Sequence, residues 1–278
     1  MKNINLLKKN YFWFLLIIIS FFFMSCVSQC NLNKLPIKKI LGRTMGTFYS
    51  VVISPNKNHP NEKKHLIKNK IDLRLENIND IMSTYRTEST ISRFNNSKTI
   101  DFISVGKELI EVVSYAQKIS KITDGAFNIA TDPLVNLWGF DKGSRIEKKP
   151  SEDKIMAAHS LSKIDGLKIK KNFLAKSDPK MSINLSGIAK GWSVDDVANS
   201  LIQEGYLDFM VEIGGEIVAR GNNPQQKKWR VGIENPLFPG DKSKILLLVE
   251  LDNNALASSG TYLNYFEDNG IKYSHIID

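Results

Sequence analysis

The chain has 278 residues, of which 42% are hydrophobic and 24% are charged, with 17 Gly, 9 Pro and 2 Cys. This composition excludes collagen-like, low-complexity and disulfide-stapled chains, and it is sufficient for a globular core. The formal net charge is +9, but 31 of the 38 basic residues are Lys and they are scattered among 29 acidic residues. Because such a mixture is typical of a solvated basic surface, we expect no nucleic-acid partner.

The start of the chain has the pattern of a signal peptide. Lys2, Lys8 and Lys9 precede a nearly unbroken apolar run at 11–24. As a helix this run would rise about 21 Å, which is short of the ~30 Å hydrocarbon core of a membrane. We therefore predict that residues 1–25 are a cleaved signal peptide rather than a membrane span.

Both cysteines lie just after this segment. Met24-Ser25-Cys26 resembles a bacterial lipobox, so Cys26 is predicted to be the lipidated first residue of the mature protein, with an ordinary thiol as the alternative. Because Cys30 is the only other cysteine, thiolate zinc sites, iron–sulfur clusters and cysteine nucleophiles are excluded from the rest of the chain. Residues 26–39 are polar and contain Pro36, and we predict a tether there.

Four stretches carry apolar residues at the three- and four-residue spacing of a helix. The first has Ile67, Ile71, Leu75, Ile78 and Met82 on one face. The predicted helices span 66–85, 106–122, a segment that begins near 150–151, and 188–203. We expect them to pack through their apolar faces.

The remaining segments favour strands, because they are rich in β-branched and aromatic residues. They are 47–53, short strands within 166–185, then 207–213, 216–220, 229–233, 245–251 and 272–277. Gly214-Gly215 separates two of them and is a hairpin signal. The layout predicts an α+β fold with antiparallel strands and packed helices, and a single domain over residues 40–278.

Few stock catalytic signatures are present. The sequence has no G-x-S-x-G, no H-E-x-x-H, no P-loop and no G-x-G-x-x-G motif, which excludes serine hydrolase, zinc protease, P-loop and Rossmann functions. His59, His65 and His159 lie in polar or helix-end contexts typical of solvated side chains. His275 differs, because it lies in a predicted strand, two apolar residues before Asp278.

One segment has the features of a phosphate site. Asn184-Leu185-Ser186-Gly187-Ile188-Ala189-Lys190-Gly191 leads from a strand into a helix. Such a turn aims free backbone N–H groups and the positive end of the helix at one point, and Lys190 would add a point charge. Alternatively, Gly187 and Gly191 only let helix and sheet approach closely, and Lys190 is solvated.

Several further segments have small, apolar or turn-forming residues. Met45 lies in G-R-T-M-G-T before the first predicted strand, and its soft side chain suits contact with a ring system, with a core position as the alternative. Tyr85 and two arginines follow one helix end, where they could equally cap it. The segments 124–128 and 133–140 are predicted apolar loops. Together these segments indicate a flat hydrophobic slot.

In this order and spacing, the motifs resemble those of the ApbE-type flavin transferases, the FAD:protein FMN transferases that are lipoproteins on the outer face of bacterial membranes. They run from about Gly42 to Asp278: T-M-G-T, M-S-T-Y-R with S-R-F-N, D-G-A-F-N, P-L-V-N-L-W-G-F, I-A-K-G, E-I-G-G-E, S-S-G-T-Y-x-N-Y-F and S-H-I-I-D. The resemblance implies an ApbE-like α+β fold, FAD as substrate, Mg²⁺ as cofactor and a lipid-anchored location on the outward, periplasmic face of the cell membrane. It also implies an acceptor protein with a Thr/Ser flavinylation motif, such as a membrane redox subunit.

The resemblance further implies roles for individual residues. It places Met45 and Tyr85 near the flavin, Ala126, Phe127 and Asn128 along the dinucleotide, Lys190 at the phosphates and Ile277 against the ligand. Gly187 would offer its backbone carbonyl to Mg²⁺, and His275 would be the base for the acceptor hydroxyl. Asn184 stands where other members often have Asp, so it would bind an adenine or ribose edge without a charge.

The implied reaction is attack by a Thr or Ser hydroxyl on the FMN-side phosphorus of FAD, with AMP as leaving group. The chain stops at Asp278, where the family continues with a P-x-T-G turn, more strands, and an Asp and a Thr that complete the metal site. For these residues alone we expect weak FAD binding and slow or no turnover, and for a longer reading frame full activity. Two alternatives use the same site: a non-catalytic, lipid-anchored FAD-binding protein, and a pyrophosphatase that splits FAD into FMN and AMP.

Overall fold

The computed structural model describes residues 37–141, 146–241, 243–262 and 264–277. Within them the helices are α1 (Lys64–Met82), α2 (Thr90–Asn96), α3 (Gly106–Ile122), α4 (Asp132–Leu137), α5 (Glu152–Leu161) and α6 (Ala189–Gln203), with 3₁₀ turns at Ile129–Thr131 and Ile164–Gly166. The strands are β1 (Lys38–Thr44), β2 (Thr47–Ile53), β3 (Ile103–Ser104), β4 (Leu167–Lys170), β5 (Phe173–Lys176), β6 (Phe209–Ile213), β7 (Glu216–Arg220), β8 (Trp229–Glu234), β9 (Ile245–Leu251), β10 (Ala255–Leu256), β11 (Tyr265–Asp268) and β12 (Ile271–Ser274).

The N-terminal predictions concern residues that the structure does not describe. The predicted signal peptide 1–25, Cys26 and most of the predicted tether lie outside the described residues. Among those that are described, no helix combines the length and the hydropathy that crossing a membrane requires.

A five-stranded antiparallel sheet, in the order β1-β2-β6-β7-β10, is the centre of the fold. Val51 of β2 lies opposite Val211 of β6, which lies opposite Val218 of β7. All three are buried on the same side, because residues directly opposite on neighbouring strands share one face of the sheet. That face packs against α1 and α6, whose buried side chains include Ile71, Leu75, Val197 and Leu201.

Arg74 of α1 fixes the position of α6 in this core. Its guanidinium donates to Asp196 of α6 at 2.7 and 2.8 Å and to Glu108 of α3 at 3.0 Å. The hydrogen bond to Asp196 is the main reason that the pKa of Arg74 is raised above its ordinary value. Because one side chain joins three helices, it holds the middle of α6 against α1 and α3.

Smaller sheets flank the centre. The strands β3, β5 and β4 form one of them, and β8–β9 and β11–β12 are two-stranded. Trp229, Val231 and Leu251 form a second small core with Ala219 of β7. The first half of β9, in contrast, is exposed along Ile245, Leu246, Leu247 and Leu248.

The predicted fold class, α+β with antiparallel strands and packed helices, is confirmed. The helix 106–122 and the strands 47–53, 216–220 and 245–251 have the predicted bounds. Gly214-Gly215 forms the predicted hairpin turn, with φ of +55° and +96°. These elements have strong local signals, either a helical period or a glycine pair.

Several details differ from the prediction, among them the following three. The strand β1 already begins at Lys38, inside the stretch predicted as a tether. The predicted loop 133–140 contains α4, where proline occupies the first turn and its missing N–H is not needed. The last predicted strand ends at Ser274, so His275 does not lie in a strand. The cause is local, because the Ser274 hydroxyl accepts the N–H of Ile276 at 3.2 Å.

Candidate active site

A cavity of about 720 Å³ opens at one end of the central sheet. Its walls are the β1–β2 turn, the C-terminal end of α1 with the segment 83–86, and the start of α6 with Leu185 and Ser186 before it. The volume is within the usual range for ligand sites, about 300 to 1,000 Å³. Met45, Tyr85 and Lys190, three of the predicted site residues, line it.

The first wall is a two-residue turn between β1 and β2. Thr44 pairs with Thr47, and between them Met45 and Gly46 have φ of +50° and +71°. Two consecutive positive φ values are the geometry of a tight hairpin turn that suits the twist of the strands. A Met in this conformation is unusual, and such strain is typical of functional positions. The Met45 sulfur lies 3.8 Å from Ser193 Oγ of α6, so the turn also contacts the third wall.

The second wall is held by α2. Ser89, the N-cap of α2, donates its hydroxyl to the Ser83 carbonyl at 2.6 Å, and Ser92 Oγ lies 3.4 Å from the same oxygen. Tyr85 is exposed at the mouth of the cavity. Its partial packing, followed by the negative charge of Asp141, raises the pKa of the Tyr85 phenol.

Two charged pairs extend this wall. Arg86 lies 2.8 Å from Glu76 and 2.5 Å from Asp80, and both Arg86 and Glu76 line the cavity. Asn79, also on the wall, donates to Thr44 Oγ1 at 3.1 Å and so ties α1 to the β1–β2 turn. The guanidinium predicted near this helix end is therefore at the cavity, already paired with two carboxylates.

The third wall carries the predicted phosphate site. Lys190 Nζ lies 2.8 Å from Glu216 Oε2 and 3.4 Å from the Gly214 carbonyl, which fixes the ammonium on the hairpin turn of β6 and β7. The side chain of Lys190 is 31% exposed, so it is partly covered and not freely solvated as the alternative required. No hydrogen bond of the described residues uses the N–H groups of Lys190 and Gly191, as expected for a first helical turn.

Asn184 shapes the turn that leads to this wall. Its side-chain oxygen accepts the N–H of Ser186 at 2.9 Å, and its own N–H donates to the Ile129 carbonyl at 2.8 Å. Its amide nitrogen lies 3.4 Å from Asp132 Oδ1. Asn184 is buried and does not line the cavity, so its predicted contact with an adenine or ribose edge stays a prediction.

The segment Ala126–Asn128 lies beside the turn rather than on a cavity wall. A Cβ on Gly187 would lie 3.3 Å from the Phe127 ring, so these two residues are neighbours. Asn128 caps the following 3₁₀ turn through the Ala130 N–H at 2.8 Å and donates to the Ser162 carbonyl at 2.8 Å. The role of Ala126, Phe127 and Asn128 along the dinucleotide stays a prediction.

His275 and Ile277 belong to the last described segment of the chain. The Nδ1 atom of His275 is 3.1 Å from the Asn264 carbonyl, and its ring meets Phe140 edge-on at 6.3 Å between centroids. Phe140 belongs to an aromatic cluster with Trp138, Phe266 and Tyr273. Neither His275 nor Ile277 lines the cavity, so their predicted roles also stay predictions.

Sequence reasoning missed several cavity residues. They include Glu76 and Asn79, and the residue Glu216 that holds Lys190 at the cavity was missed as well. Glu216 had a signal, because it ends the motif E-I-G-G-E, but its pairing with Lys190 joins residues 26 positions apart. No local pattern predicts such a contact.

A magnesium site is not formed by the described residues alone. They contain no group of three His, Cys, Asp or Glu side chains that could hold a metal. Gly187 contributes only a backbone carbonyl, whereas Mg²⁺ prefers several oxygen ligands in octahedral geometry. The described donors therefore do not fit the ion, and no step below passes through it.

The sequence and the fold have counterparts among known proteins. The sequence profile of the ApbE family matches residues 45–278. An FAD:protein FMN transferase of Vibrio cholerae serotype O1 is 40% identical over 237 residues, 85% of this chain and 70% of that protein. One of Haemophilus influenzae is 37% identical over 85% of this chain and 69% of that protein.

Solved structures agree with this result. The flavin transferase ApbE of Vibrio cholerae superposes with a TM-score of 0.78 at 37% identity, over 88% of this chain and 76% of that one. The apo form of the flavinyl transferase ApbE of Pseudomonas stutzeri gives 0.77 at 33% identity, over 87% and 73%. By these superpositions and the family match, the domain is ApbE-like. The chain belongs to the ApbE family.

Proposed function

We propose that this chain transfers the FMN part of FAD to a Thr or Ser hydroxyl of an acceptor protein and releases AMP. The observation that carries the proposal is the cavity of this ApbE-family chain. The β1–β2 turn with Met45 forms one wall. The start of α6 forms another, where the Lys190 ammonium is fixed beside the backbone N–H groups of the first helical turn. One wall suits a flat apolar ring and the other suits a pyrophosphate.

Lys190 is positioned to hold the phosphates. Its ion pair with Glu216 keeps the Lys190 ammonium at the N-terminal end of α6. Little side-chain freedom is therefore lost when a phosphate binds. The positive end of the helix adds to the same field. Both groups would also neutralise the charge that passes to the AMP leaving group.

In the proposed reaction, the acceptor oxygen forms a bond to the FMN-side phosphorus, and the bond from that phosphorus to the bridging oxygen breaks. AMP leaves with the bridging oxygen, and the acceptor proton passes to a base, for which we propose His275. Its Nδ1 faces the Asn264 carbonyl, which favours a proton on that nitrogen and leaves Nε2 as the acceptor. We also propose that the reaction requires Mg²⁺, and the support for this requirement is the resemblance alone.

One incubation separates this function from its two alternatives. The protein is mixed with FAD and a peptide that carries a flavinylation motif, with and without Mg²⁺, and the products are separated by mass. Covalent FMN on the peptide supports the transferase, and loss of that product with EDTA supports the metal requirement. Free FMN and AMP without peptide modification would favour the pyrophosphatase, and bound intact FAD would favour the binding protein.

We also propose that the protein is anchored in the membrane by lipid on Cys26 and faces the periplasm. The support is the sequence at 11–26, which lies outside the described residues. Metabolic labelling with an alkyne fatty acid should label the wild type and not Cys26→Ser. The matched control is Cys30→Ser, which should keep the label. A label that persists in Cys26→Ser would contradict the anchor.

A further inference from the structure

A lysine outside the cavity is buried, although charged side chains are rarely buried. Lys176, the last residue of β5, is 2% exposed, and its Nζ lies 3.0 Å from the Asn95 carbonyl and 3.0 Å from the Met181 carbonyl. The Phe94 ring lies on another side, 5.4 Å away. Burial, with a smaller contribution from Lys98, lowers the pKa of Lys176 to about 8 against the opposing charge of Asp178. A buried cation is costly, so its retention calls for a specific reason.

The two carbonyls belong to two different segments, each of which leads to a wall of the cavity. Asn95 is in the last turn of α2, where carbonyls lack helical partners and the helix dipole is negative. Met181 begins the buried segment 181–185 that leads to the third cavity wall. Lys176 therefore joins the C-terminal end of α2 to the chain before α6.

Asn95 makes the same connection a second time. Its Nδ2 donates to the Ile183 carbonyl at 2.8 Å, and its Oδ1 accepts the Ile183 N–H at 2.9 Å. The other end of α2 holds the second wall through Ser89 and the Ser83 carbonyl. The helix α2 is thus bonded to the second wall at one end and, at the other end, to the segment that leads into the third wall.

We propose that Lys176 is a positioning residue for the cavity. Its ammonium fixes the segment 181–186 on the end of α2, and this sets the distance between the wall at Ser83–Arg86 and the wall at Leu185–Lys190. Lys176 contacts no ligand and acts through these two carbonyls. The consequence for FAD rests on the proposed function, whereas the consequence for the backbone does not.

The main test compares Lys176→Met with wild type in hydrogen exchange and FAD calorimetry. Met keeps the length of the side chain and removes the charge and its donors. We expect faster exchange at 181–186 and in α2, with the rest of the core unchanged. We also expect FAD affinity to fall about tenfold in protein that circular dichroism shows to be folded. The matched control is Lys168→Met, an exposed lysine of the neighbouring strand β4, which should change neither.

Two further variants keep the proposal testable if Lys176→Met does not fold. Asn95→Ala removes the second connection at a less buried position and should loosen the same segment. Lys176→Arg keeps the charge and two donors and should retain more FAD affinity than Lys176→Met.

The outcomes separate the two proposals. Folded Lys176→Met or Asn95→Ala with wild-type exchange at 181–186 would overturn the positioning role, as would lower thermal stability with unchanged FAD affinity. A wild-type protein that binds no FAD would count against the proposed function, and the exchange result would then decide the role of Lys176.

Discussion

Two regions of the described chain differ in how their side chains are packed. The cavity region, residues 38–220, contains the five-stranded sheet apart from β10, all six described helices and nearly all of the buried core. The hairpin region, residues 229–277, consists mainly of two-stranded sheets, and four consecutive apolar side chains of β9 are 50 to 60% exposed. Every residue that lines the cavity belongs to the first region, whereas His275 lies in the second. Ligand binding and the proposed proton transfer can therefore be tested by substitutions in different regions.

The largest effect expected from this separation is on transfer. Replacing His275 with Ala should lower FMN transfer roughly 100- to 10,000-fold, the usual contribution of a general base, and leave FAD affinity nearly unchanged. Single-turnover kinetics and calorimetry measure the two quantities. The matched control is His159→Ala, an exposed histidine of α5, which should keep full transfer. Unchanged transfer in His275→Ala would remove His275 from this role.

The second effect concerns affinity in the cavity region. Replacing Lys190 with Met removes the cation at the start of α6 and leaves Glu216 unpaired beside the pyrophosphate. Because hydrogen bonds to charged groups contribute about 1.5–3 kcal/mol, the FAD dissociation constant should rise roughly 10- to 100-fold. Lys107→Met, at a largely exposed lysine of α3, should bind FAD as wild type does. Equal affinities of both variants would contradict the phosphate role of Lys190.

A pair of glycine substitutions tests the packing difference directly. A Cβ on Gly42 would lie 2.2 Å from the Tyr49 ring, which is buried and held by its 2.5 Å hydrogen bond to Asp72. Gly42→Ala should therefore lower the free energy of unfolding by about 1–3 kcal/mol. In the hairpin region, a Cβ on Gly232 would meet only the exposed Ile245 side chain at 3.0 Å, which can move. Gly232→Ala should cost less than about 0.5 kcal/mol.

Urea unfolding of both glycine variants against wild type measures this difference. Equal losses at the two positions would show that the regions are packed alike.

The smallest effect is a pH dependence of the cavity region. His59 Nε2 accepts the N–H of Leu207 at 2.9 Å and that of Asp208 at 3.3 Å, so this nitrogen carries no proton in the folded state. Burial lowers the pKa of His59 below 6.5, although the charge of Asp208 opposes the shift. As the pH falls, the unfolded state therefore takes up a proton on His59 before the folded state does. The stability that neutral His59 contributes is complete above pH 6.5 and is lost as the pH falls below that value.

Urea unfolding between pH 7.5 and 5 tests this sign. The loss of stability should be smaller in His59→Gln than in wild type, and it should be unchanged in His65→Gln, where the histidine is exposed. An identical pH profile for His59→Gln and wild type would contradict the argument.

The parts of the fold that the sequence predicted well are those with strong local patterns. The helix 106–122 has a regular apolar period, and the strands of the β6–β7 hairpin are joined by two glycines. The short helices α2 and α4 were missed because six or seven residues hold less than two full turns of periodicity. The end of β12 was missed because the Ser274 side chain competes locally with strand pairing.

The site also contains residues that local motifs predicted and contacts that they did not. Met45, Tyr85 and Lys190 were predicted from motifs that the cavity brings together. Contacts between distant segments, such as Lys190 with Glu216 or Lys176 with Asn95 and Met181, have no sequence signature. A lysine in a short strand is most often solvated, so only the tertiary structure shows that Lys176 is buried.

The turn at Met45 and Gly46 limits how this chain can vary in length. Since neighbouring side chains in a strand point to opposite faces, an inserted residue that shifts the pairing of β1 with β2 by one position would invert one strand relative to the other. Either buried Ile40 of β1 or buried Tyr49 of β2 would then face solvent. In a library of variants, substitutions in the β1–β2 turn should therefore fold more often than insertions or deletions that shift this pairing.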